Sequence, residues 1–430
     1  MNRAMIDSGI PWIGEIPEGW EIARFKHRFK TYKGLSFTKA DLVEDGNPVI
    51  SYGQIHAKYN NGTSIDSKLI RFVPDGIIEN GGNSMVSLGD FIFADTSEDI
   101  DGCGNCVYID KDIELYAGYH SVIAQSILSK NNKYYAYLFL TNCWRSQIRM
   151  RVSGIKVFSI TQNILNQTLL IVPPVSEQEA IAAFLDRKCG EVDEMVSLQE
   201  QVIEELKAYK QSVITEAVTK GLNPSAPMKP TNIDWIGQIP THWECCKLKY
   251  KMTLLNGRAY SQEELLSEGK YRILRVGNFF TNTSWYYSDL ELPDNKYCIA
   301  GDLLYAWSAS FGPKIWNGEK CIYHYHIWKV LLHDMHLKFS FYLLEALSLR
   351  KSLDAHGTAM VHITMEEMNK SIIVAPPLSE QREIADYLDR KCADIDALIA
   401  LKQQKIEDLK QYKKSLIYEY VTGKKQVFPS

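Results

Sequence analysis

The residues best equipped for chemistry are basic, and they come in runs without acids. IARFKHRFKTYK at 22–33 holds Arg24, Lys26, Arg28, Lys30 and Lys33 and no Asp or Glu. CCKLKYKMTLLNGR at 245–258 repeats that composition with Lys247, Lys249, Lys251 and Arg258. CWRSQIRMRVSGIKVFS adds Arg145, Arg149, Arg151 and Lys156. Cations grouped this way suit phosphate oxygens, which hold a protein on nucleic acid without reading sequence. A solvated strand or helix face is the competing use of each single run. Recurrence of two runs in parallel settings favours the phosphate reading. Base edges need other side chains, and Tyr52, Gln54, His56, Asn83, Arg275, Asn278 and His324 fall near strand ends and turns. Arg pairs with guanine, and Asn or Gln with adenine. For any one of these residues, a turn or core role competes.

Catalytic patterns are missing. The chain has no P-loop, no G-x-G-x-x-G, no HExxH and no G-x-S-x-G. The two PP pairs precede Val175 and Leu378, so neither belongs to an adenine methyltransferase motif, and no nuclease PD…D/E-x-K string stands out. Cys103 and Cys106 form CGNC, but a zinc site needs a second pair at suitable spacing and none follows. His324, His326, His333 and His336 are explained more cheaply by strand alternation and a turn than by metal. No catalytic residue and no metal ligand is assigned.

Composition sets the frame around these residues. A chain of 430 residues, 45% hydrophobic, can fill two or three globular cores. No charged-then-apolar leader and no run of 18 apolar residues is present, so the expected location is the cytoplasm. The nine Cys then read as thiols rather than a disulfide framework. A net charge of −4 requires a nucleic-acid binder to concentrate its cations locally or to share the phosphates with a partner.

Everything is arranged by an internal duplication. IPWIGEIPEGW at 10–20 returns as IDWIGQIPTHW at 233–243, and SEQEAIAAFLDRKC at 176–189 returns as SEQREIADYLDRKC at 379–392. Weaker echoes lie between them: KGLSF with NGRAY, VISYGQI with ILRVGNF, GDFIFA with GDLLYA, and GYH at 118–120 with HYH at 324–326. Each copy is a variable globular segment followed by a constant tail. The tails are helical. Val192, Val196, Ile203, Leu206 and Val213 form one apolar face, and Ile395, Ile399, Ile406, Leu409 and Leu416 repeat it at the same spacing. From Glu191 to Lys220 no Gly or Pro intervenes, so each helix approaches forty residues, about 60 Å at 1.5 Å per residue. IVPP and VAPP impose an extended lead before each helix, and Ser176 with Glu179 is expected as a capping box, with Ser379 keeping only the cap. So long a helix with one apolar face needs a partner, and the two tails pairing with each other satisfies both.

The variable segments alternate β-like runs (NPVISYGQI, FIFAD, YRILRVGNF, KCIYHYHIWKV) with Gly-, Asn- and Asp-rich turns. NNKYYAYLFLTNCWRSQIRM and MHLKFSFYLLEALSLRKSLD are expected as single helices late in each. The fold class is therefore α+β: two tandem mixed α/β domains, each followed by a long helix, the helices paired as an antiparallel coiled coil with pseudo-twofold symmetry. Expected boundaries are 1–172 and 233–375 for the domains, 173–222 and 376–423 for the helices, and 223–232 for a linker. Trp20 and Trp243 are expected as packing anchors for the segments that lead into each domain.

Two divergent domains that open with I-x-x-I-P-x-x-W and close with PP-x-SEQ-x-x-I-A-x-x-L-D resemble the specificity (S) subunits of type I restriction–modification systems. The resemblance covers nearly the whole chain. SGIKVFSITQNIL and HGTAMVHITMEEM match a Gly loop of that family; Gly357-Thr358 keeps its usual pair, whereas Ser153-Gly154-Ile155 departs from it. The resemblance implies two target-recognition domains, each reading one half of an asymmetric bipartite site on double-stranded DNA. It implies helices that set the spacer and dock two methyltransferase (M) subunits, with restriction/translocase (R) subunits outside. It also implies adenine methylation by the partners, with S-adenosylmethionine, Mg2+ and ATP bound elsewhere than on this chain. A scaffold whose domains bind protein or glycan and whose helices only dimerise is the alternative.

Overall fold

The computed structural model describes residues 3–79, 81–128, 131–154, 156–308, 310–354 and 363–427. These form the helices α1 (Tyr52–Ile55), α2 (Asp75–Ile78), α3 (Lys133–Phe139), α4 (Asn142–Arg149), α5 (Gln162–Asn166), α6 (Val175–Lys220), α7 (Val276–Phe280), α8 (Leu337–Asp354), α9 (Met365–Lys370) and α10 (Leu378–Val421). The chain divides into two units, one of residues 1–199 with 404–430, the other of residues 200–403. Each unit therefore contains a β-rich domain, the first part of the helix that follows it and the last part of the other long helix.

In unit 1 an antiparallel sheet runs Cys106–Tyr108, Phe91–Ala94, Ser121–Ser126, Phe29–Lys33. A second runs Arg71–Val73, Asn47–Ile50, Leu115–Ala117, Met85–Val86, with its middle pair parallel. Unit 2 has the same two sheets: Ser310–Ile315, Leu303–Ser308, Ile327–Leu332, Met252–Asn256, and then Tyr286–Ser288, Tyr271–Leu274, Cys321–Tyr323, Tyr297–Cys298, again with a parallel middle pair. A two-stranded ribbon closes each domain just before its PP pair, Glu21–Arg24 with Leu169–Val172 and Glu244–Lys247 with Ile372–Ala375.

Several runs expected to be uniform are broken, some by a local polar choice. VISYGQI is a strand to Ile50 and then α1, because Ser51 caps the turn and its N–H donates to Gln54 Oε1 at 3.2 Å. ILRVGNF also passes from strand to helix, at Arg275, but without a side-chain cap. KCIYHYHIWKV is two strands in two sheets, hinged at His324–His326. NNKYYAYLFLTNCWRSQIRM is two helices, because Thr141 accepts from Trp144 N and starts a new cap. Part of the expected linker is also ordered, since Met228–Pro230 pairs with Gln238–Pro240, as Met5–Asp7 does with Glu15–Pro17. Ile155 and Gly357-Thr358 lie outside the described residues.

The long helices span 46 and 44 residues, about 69 and 66 Å at 1.5 Å per residue. Proline, not serine, opens them. Glu177 N and Gln178 N donate to Pro174 O, and Gln381 N donates to Pro377 O, so Ser176 and Ser379 stand inside the first turn rather than at the cap. The repeated SEQ is used differently. Gln178 Nε2 donates to Pro173 O and Gln381 Nε2 to Pro376 O, both at 2.8 Å. Glu177 accepts the indole N–H of Trp20 at 3.2 Å and a two-armed bond from Arg3 at 2.6 and 2.9 Å. Glu380 accepts Trp243 Nε1 at 2.9 Å and pairs with His242 Nε2 at 2.6 Å. The helix dipole favours an acid at this position as well.

Each helix end is built into a domain core. In unit 1, Ile181, Leu185 and Cys189 of α6 share a cluster with Leu416, Ile417 and Val421 of α10 and with Phe25, Phe139 and Trp144. In unit 2, Val213, Ile214 and Val218 of α6 meet Ile384, Leu388 and Cys392 of α10 in the same way. Early α6 thus lies against late α10, and late α6 against early α10: the helices pack antiparallel. Val192, Ile203, Val213, Ile395, Ile406, Leu409 and Leu416 are buried, and Val196, Leu206 and Ile399 half-buried. Equivalent ion pairs fix the register, Asp193 with Lys413 in unit 1 and Asp396 with Lys210 in unit 2, each at 2.7 Å. The Asp of LDRK secures the domain to its own helix. Asp186 accepts Tyr137 Oη at 2.6 Å and lies 3.3 Å from Lys133 Nζ; Asp389 accepts Tyr342 Oη at 2.8 Å and pairs with Lys338.

Removing the acceptor at a helix start leaves a buried indole donor unmatched. Glu380→Ala should destabilise unit 2 by about 1–3 kcal/mol, read as a lower urea midpoint. In a Trp243→Phe background the same substitution should cost measurably less.

Candidate nucleic-acid interface

In each domain the parallel middle strands of the second sheet give way to turns at one end. In unit 1 that end carries an open pocket lined by Tyr52, His56, Ser97, Glu98, Asp99 and Asp101. His56 is locked there. Its Nε2 lies 2.9 Å from Thr96 O, which can only accept, so Nε2 carries the proton. Nδ1 then accepts from Asn105 Nδ2 at 3.1 Å, Asn105 Oδ1 accepts from Arg145 Nη1 at 2.7 Å, and Arg145 Nε donates to Phe139 O at 2.7 Å. This chain of donors fixes the orientation of the ring. Tyr52 donates to Glu98 at 3.3 Å, and that bond and burial, with burial the larger cause, raise its phenol above the usual range. Gln54 gives its carbonyl to the cap at Ser51, which leaves its amide donors. Asn83 is exposed on the turn before Met85.

The chemistry of this pocket was not foreseen from sequence. Glu98, Asp99 and Asp101 repel phosphate, yet carboxylates accept from the cytosine amino group. None of the three stands out in the sequence, and only folding brings them beside Tyr52 and His56.

The equivalent end of unit 2 is cationic and aromatic. Arg275 lies over the Tyr286 ring at 5.2 Å, Arg258 over Tyr260 at 5.2 Å, and Arg272 over Trp285 at 5.4 Å. His324 stacks on Tyr260 with 6.3 Å between centroids and touches His326 at 4.8 Å. Burial first, then His326 and Arg275, push the His324 imidazole down to about 4. Asn278 donates to Asn282 O at 3.2 Å and Ser284 O at 2.6 Å, so it shapes the following loop. Tyr260, Trp285, Tyr286 and Trp307 were missed as candidates, although NGRAY and TSWYYSD place aromatic and basic residues close together.

The basic runs do not gather at one spot. Arg24 lies on the closing ribbon opposite Leu169, Lys26 on the next turn, and Lys30 and Lys33 on an edge strand that leads to the reading end. All four are exposed, whereas Arg28 is half-buried, 3.7 Å from Glu21. Unit 2 follows the same path. Lys247 is exposed on its ribbon, Lys249 lies over Tyr250, Lys251 is half-buried, and Arg258 reaches the far end. There Arg258 is held by Glu264 through bonds of 2.7 and 3.0 Å. Lysine on an edge strand also blocks edge-to-edge pairing. Arg149 donates to Asn142 Oδ1 at 3.1 Å and Asp101 O at 3.0 Å, Arg151 donates to Gln147 O at 2.6 Å, and Lys156 is exposed. Cys103 and Cys106 are buried, and among the described residues no three His, Cys, Asp or Glu side chains converge as a metal site.

Fold and site together define a two-domain recognition chain built on paired helices. The model of the type I restriction modification DNA specificity domain matches residues 17–208 and again 240–411. The chain belongs to that family, as a specificity subunit, the non-catalytic component of type I restriction–modification systems. It is similar to the MjaVIII specificity subunit of Methanocaldococcus jannaschii, 24% identical over 435 residues that span 96% of this chain and 94% of that one. The putative MjaX specificity subunit of the same organism is also 24% identical, over 96% of each chain. A solved structure concerned with complex assembly and conformational transition of the type I R-M system has the same fold, with a TM-score of 0.71 and 18% identity over 94% of this chain and 98% of that one. No helix among the described residues is long and apolar enough to cross a membrane.

The depressed His324 gives unit 2 a pH dependence. Folded, this imidazole binds its proton only near pH 4; unfolded, near 6.5. Its contribution to stability is complete above pH 6.5 and is lost as pH falls from 6.5 through 4. An NMR titration of His324 should show a midpoint well below 6.5, and His324→Gln should flatten the loss of unit 2 stability across that window.

Proposed function

We propose that each unit reads one half of an asymmetric, interrupted target on double-stranded DNA, and that the long helices set the interval between halves and dock two methyltransferase subunits. The observation that carries this reading is one frame used twice with different chemistry at its reading end. The first end is acidic and holds His56 in one orientation; the second is a set of Arg and His packed on aromatic rings. Two domains so unlike at the same place suit two unlike half-sites.

The helices supply a second support. Val175, Met195, Leu198 and Tyr412 are exposed in unit 1, and their equivalents Leu378, Leu398, Leu401 and Tyr209 are exposed in unit 2. A set of large apolar side chains kept on the surface in both copies suits a partner that binds twice. Methylation of an adenine in each half-site falls to those partners, and restriction/translocase subunits join the assembly outside them. S-adenosylmethionine, Mg2+ and ATP act on the other subunits, in the cytoplasm. The candidate phosphate contacts are the exposed Arg24, Lys26, Lys30 and Lys33 of unit 1 and the exposed Lys247 and Lys249 of unit 2.

Replacing residues 20–170 by another recognition domain should change one half of the methylated sequence and leave the other half intact, read by long-read methylome sequencing of cells that express the complete system. An unchanged methylome sinks DNA reading and favours the protein- or glycan-binding scaffold. Leu198→Asp and Leu401→Asp alter exposed positions only. Each should remove one methyltransferase subunit from the purified assembly while the chain's own melting curve is unchanged.

A further inference from the structure

The two reading ends differ at almost every residue, with one exception. Gly118-Tyr119-His120 in unit 1 and His324-Tyr325-His326 in unit 2 occupy the same turn, and both carry Tyr-His. The match is one of structure as well as sequence. Gly118 N donates to Ile50 O at 2.8 Å, and His324 N to Leu274 O at 2.9 Å. Asp95 N donates to His120 O at 3.2 Å, and Trp307 N to His326 O at 3.1 Å. Gly34 N donates to Ser121 O at 3.1 Å, and Gly257 N to Ile327 O at 3.2 Å. The glycines are required, since a Cβ on Gly34 would collide with Gly118 O and one on Gly257 with His324 O.

Around this frame the side chains diverge. Ser51 stands where Arg275 does, Gly118 where His324 does, and Asp95 where Trp307 does. His120 takes a positive φ of 53°, which His326 does not share, so the two turns part in backbone at this residue while both keep the imidazole. Its Nδ1 lies 3.3 Å from Asp95 Oδ1, which leaves Nε2 as the ring's remaining polar atom on a largely exposed side chain. His326 packs edge-on against Trp307 at 5.0 Å. Among the described residues no group bonds the hydroxyl of Tyr119 or Tyr325.

Residues that read bases must differ where the bases differ. Residues that stay the same must meet something both half-sites share. Phenol and imidazole N–H or O–H groups are donors of the kind that bind phosphate oxygens and fix register on a duplex. We infer that Tyr119-His120 and Tyr325-His326 are equivalent, sequence-independent contacts to the sugar–phosphate strand, one in each half of the target. This rests on the duplex-reading proposal above.

The test uses the complete complex with its methyltransferase subunits. Tyr119→Phe with His120→Asn alters unit 1, and Tyr325→Phe with His326→Asn alters unit 2; Phe removes only the hydroxyl, and Asn tolerates positive φ. Kd is measured at fixed salt for a duplex holding the target and for an unrelated duplex, and the methylated sequence is read in cells. For each double variant both Kd values should rise by the same factor, about 5–150-fold from two lost hydrogen bonds, with the methylated sequence unchanged. A fall in target affinity alone, or a changed base in one half-site, overturns the inference in favour of a shared base pair. Variants that bind both duplexes as tightly as a wild-type complex that still methylates its site overturn the contact but not the DNA reading. A wild-type complex that binds neither duplex overturns both.

Discussion

A buried indole N–H is costly to leave without an acceptor, and at Trp20 and Trp243 the bond that meets this need joins three parts of each unit. Trp20 and Trp243 are 4% and 1% exposed, and their donors end on Glu177 and Glu380 in the first turns of α6 and α10. The same rings cover the far end of the other long helix within each unit: Gly423 sits on Pro17 and Trp20, and Gly221 on Trp243. Both glycines have φ near +70°, as helix-terminating residues do. One side chain thus ties a lead-in ribbon, a helix start and a helix end together. Without it the PP pairs would fix an extended direction but not where the domain stands on its helix.

Given those joints, the domains are free to diverge. The sheets, the closing ribbon and the Asp186 and Asp389 bonds to tyrosine repeat in both units, and they lie away from the reading ends. Burial accounts for the repetition. Phe25, Phe29, Phe91, Phe139 and Trp144 pack as one aromatic group continuous with the helices, and each fully buried side chain of this size contributes about 1.5–3 kcal/mol. Substitution there is costly, whereas a loop at the strand ends bears little of that burden.

The duplication made the helices, their partners and the order of parts legible, because period and repetition survive without tertiary information. What failed was local punctuation. Ser51 and Thr141 each end one element and begin another through a single cap, a signal too small to stand out in an apolar run. The basic run 22–33 reads as one patch only while the chain is a string; folded, it travels along a ribbon and an edge strand. The Glu98, Asp99 and Asp101 pocket was invisible for the opposite reason, since its partners Tyr52 and His56 come from α1 and its C-terminal cap, some forty residues away. Gly34 and Gly257 were visible as an echo, but their reason is a backbone approach that only coordinates reveal.

The charge of the chain follows from this division. A net −4 looks unsuited to a polyanion when spread evenly, but it is not spread evenly. Acids occupy the pocket of unit 1 and the outer helix faces, where Lys and Glu pair at exposed sites worth little individually. Exposed cations line the ribbon and edge strand of the first domain (Arg24, Lys26, Lys30, Lys33) and the ribbon and following turn of the second (Lys247, Lys249). An acidic reading end would be a poor place to seize DNA and a reasonable place to discriminate once the backbone is held elsewhere. In the function proposed above, separating grip from reading in this way is what would let a pocket carry carboxylates, a freedom that a chain gripping and reading with the same residues would lack.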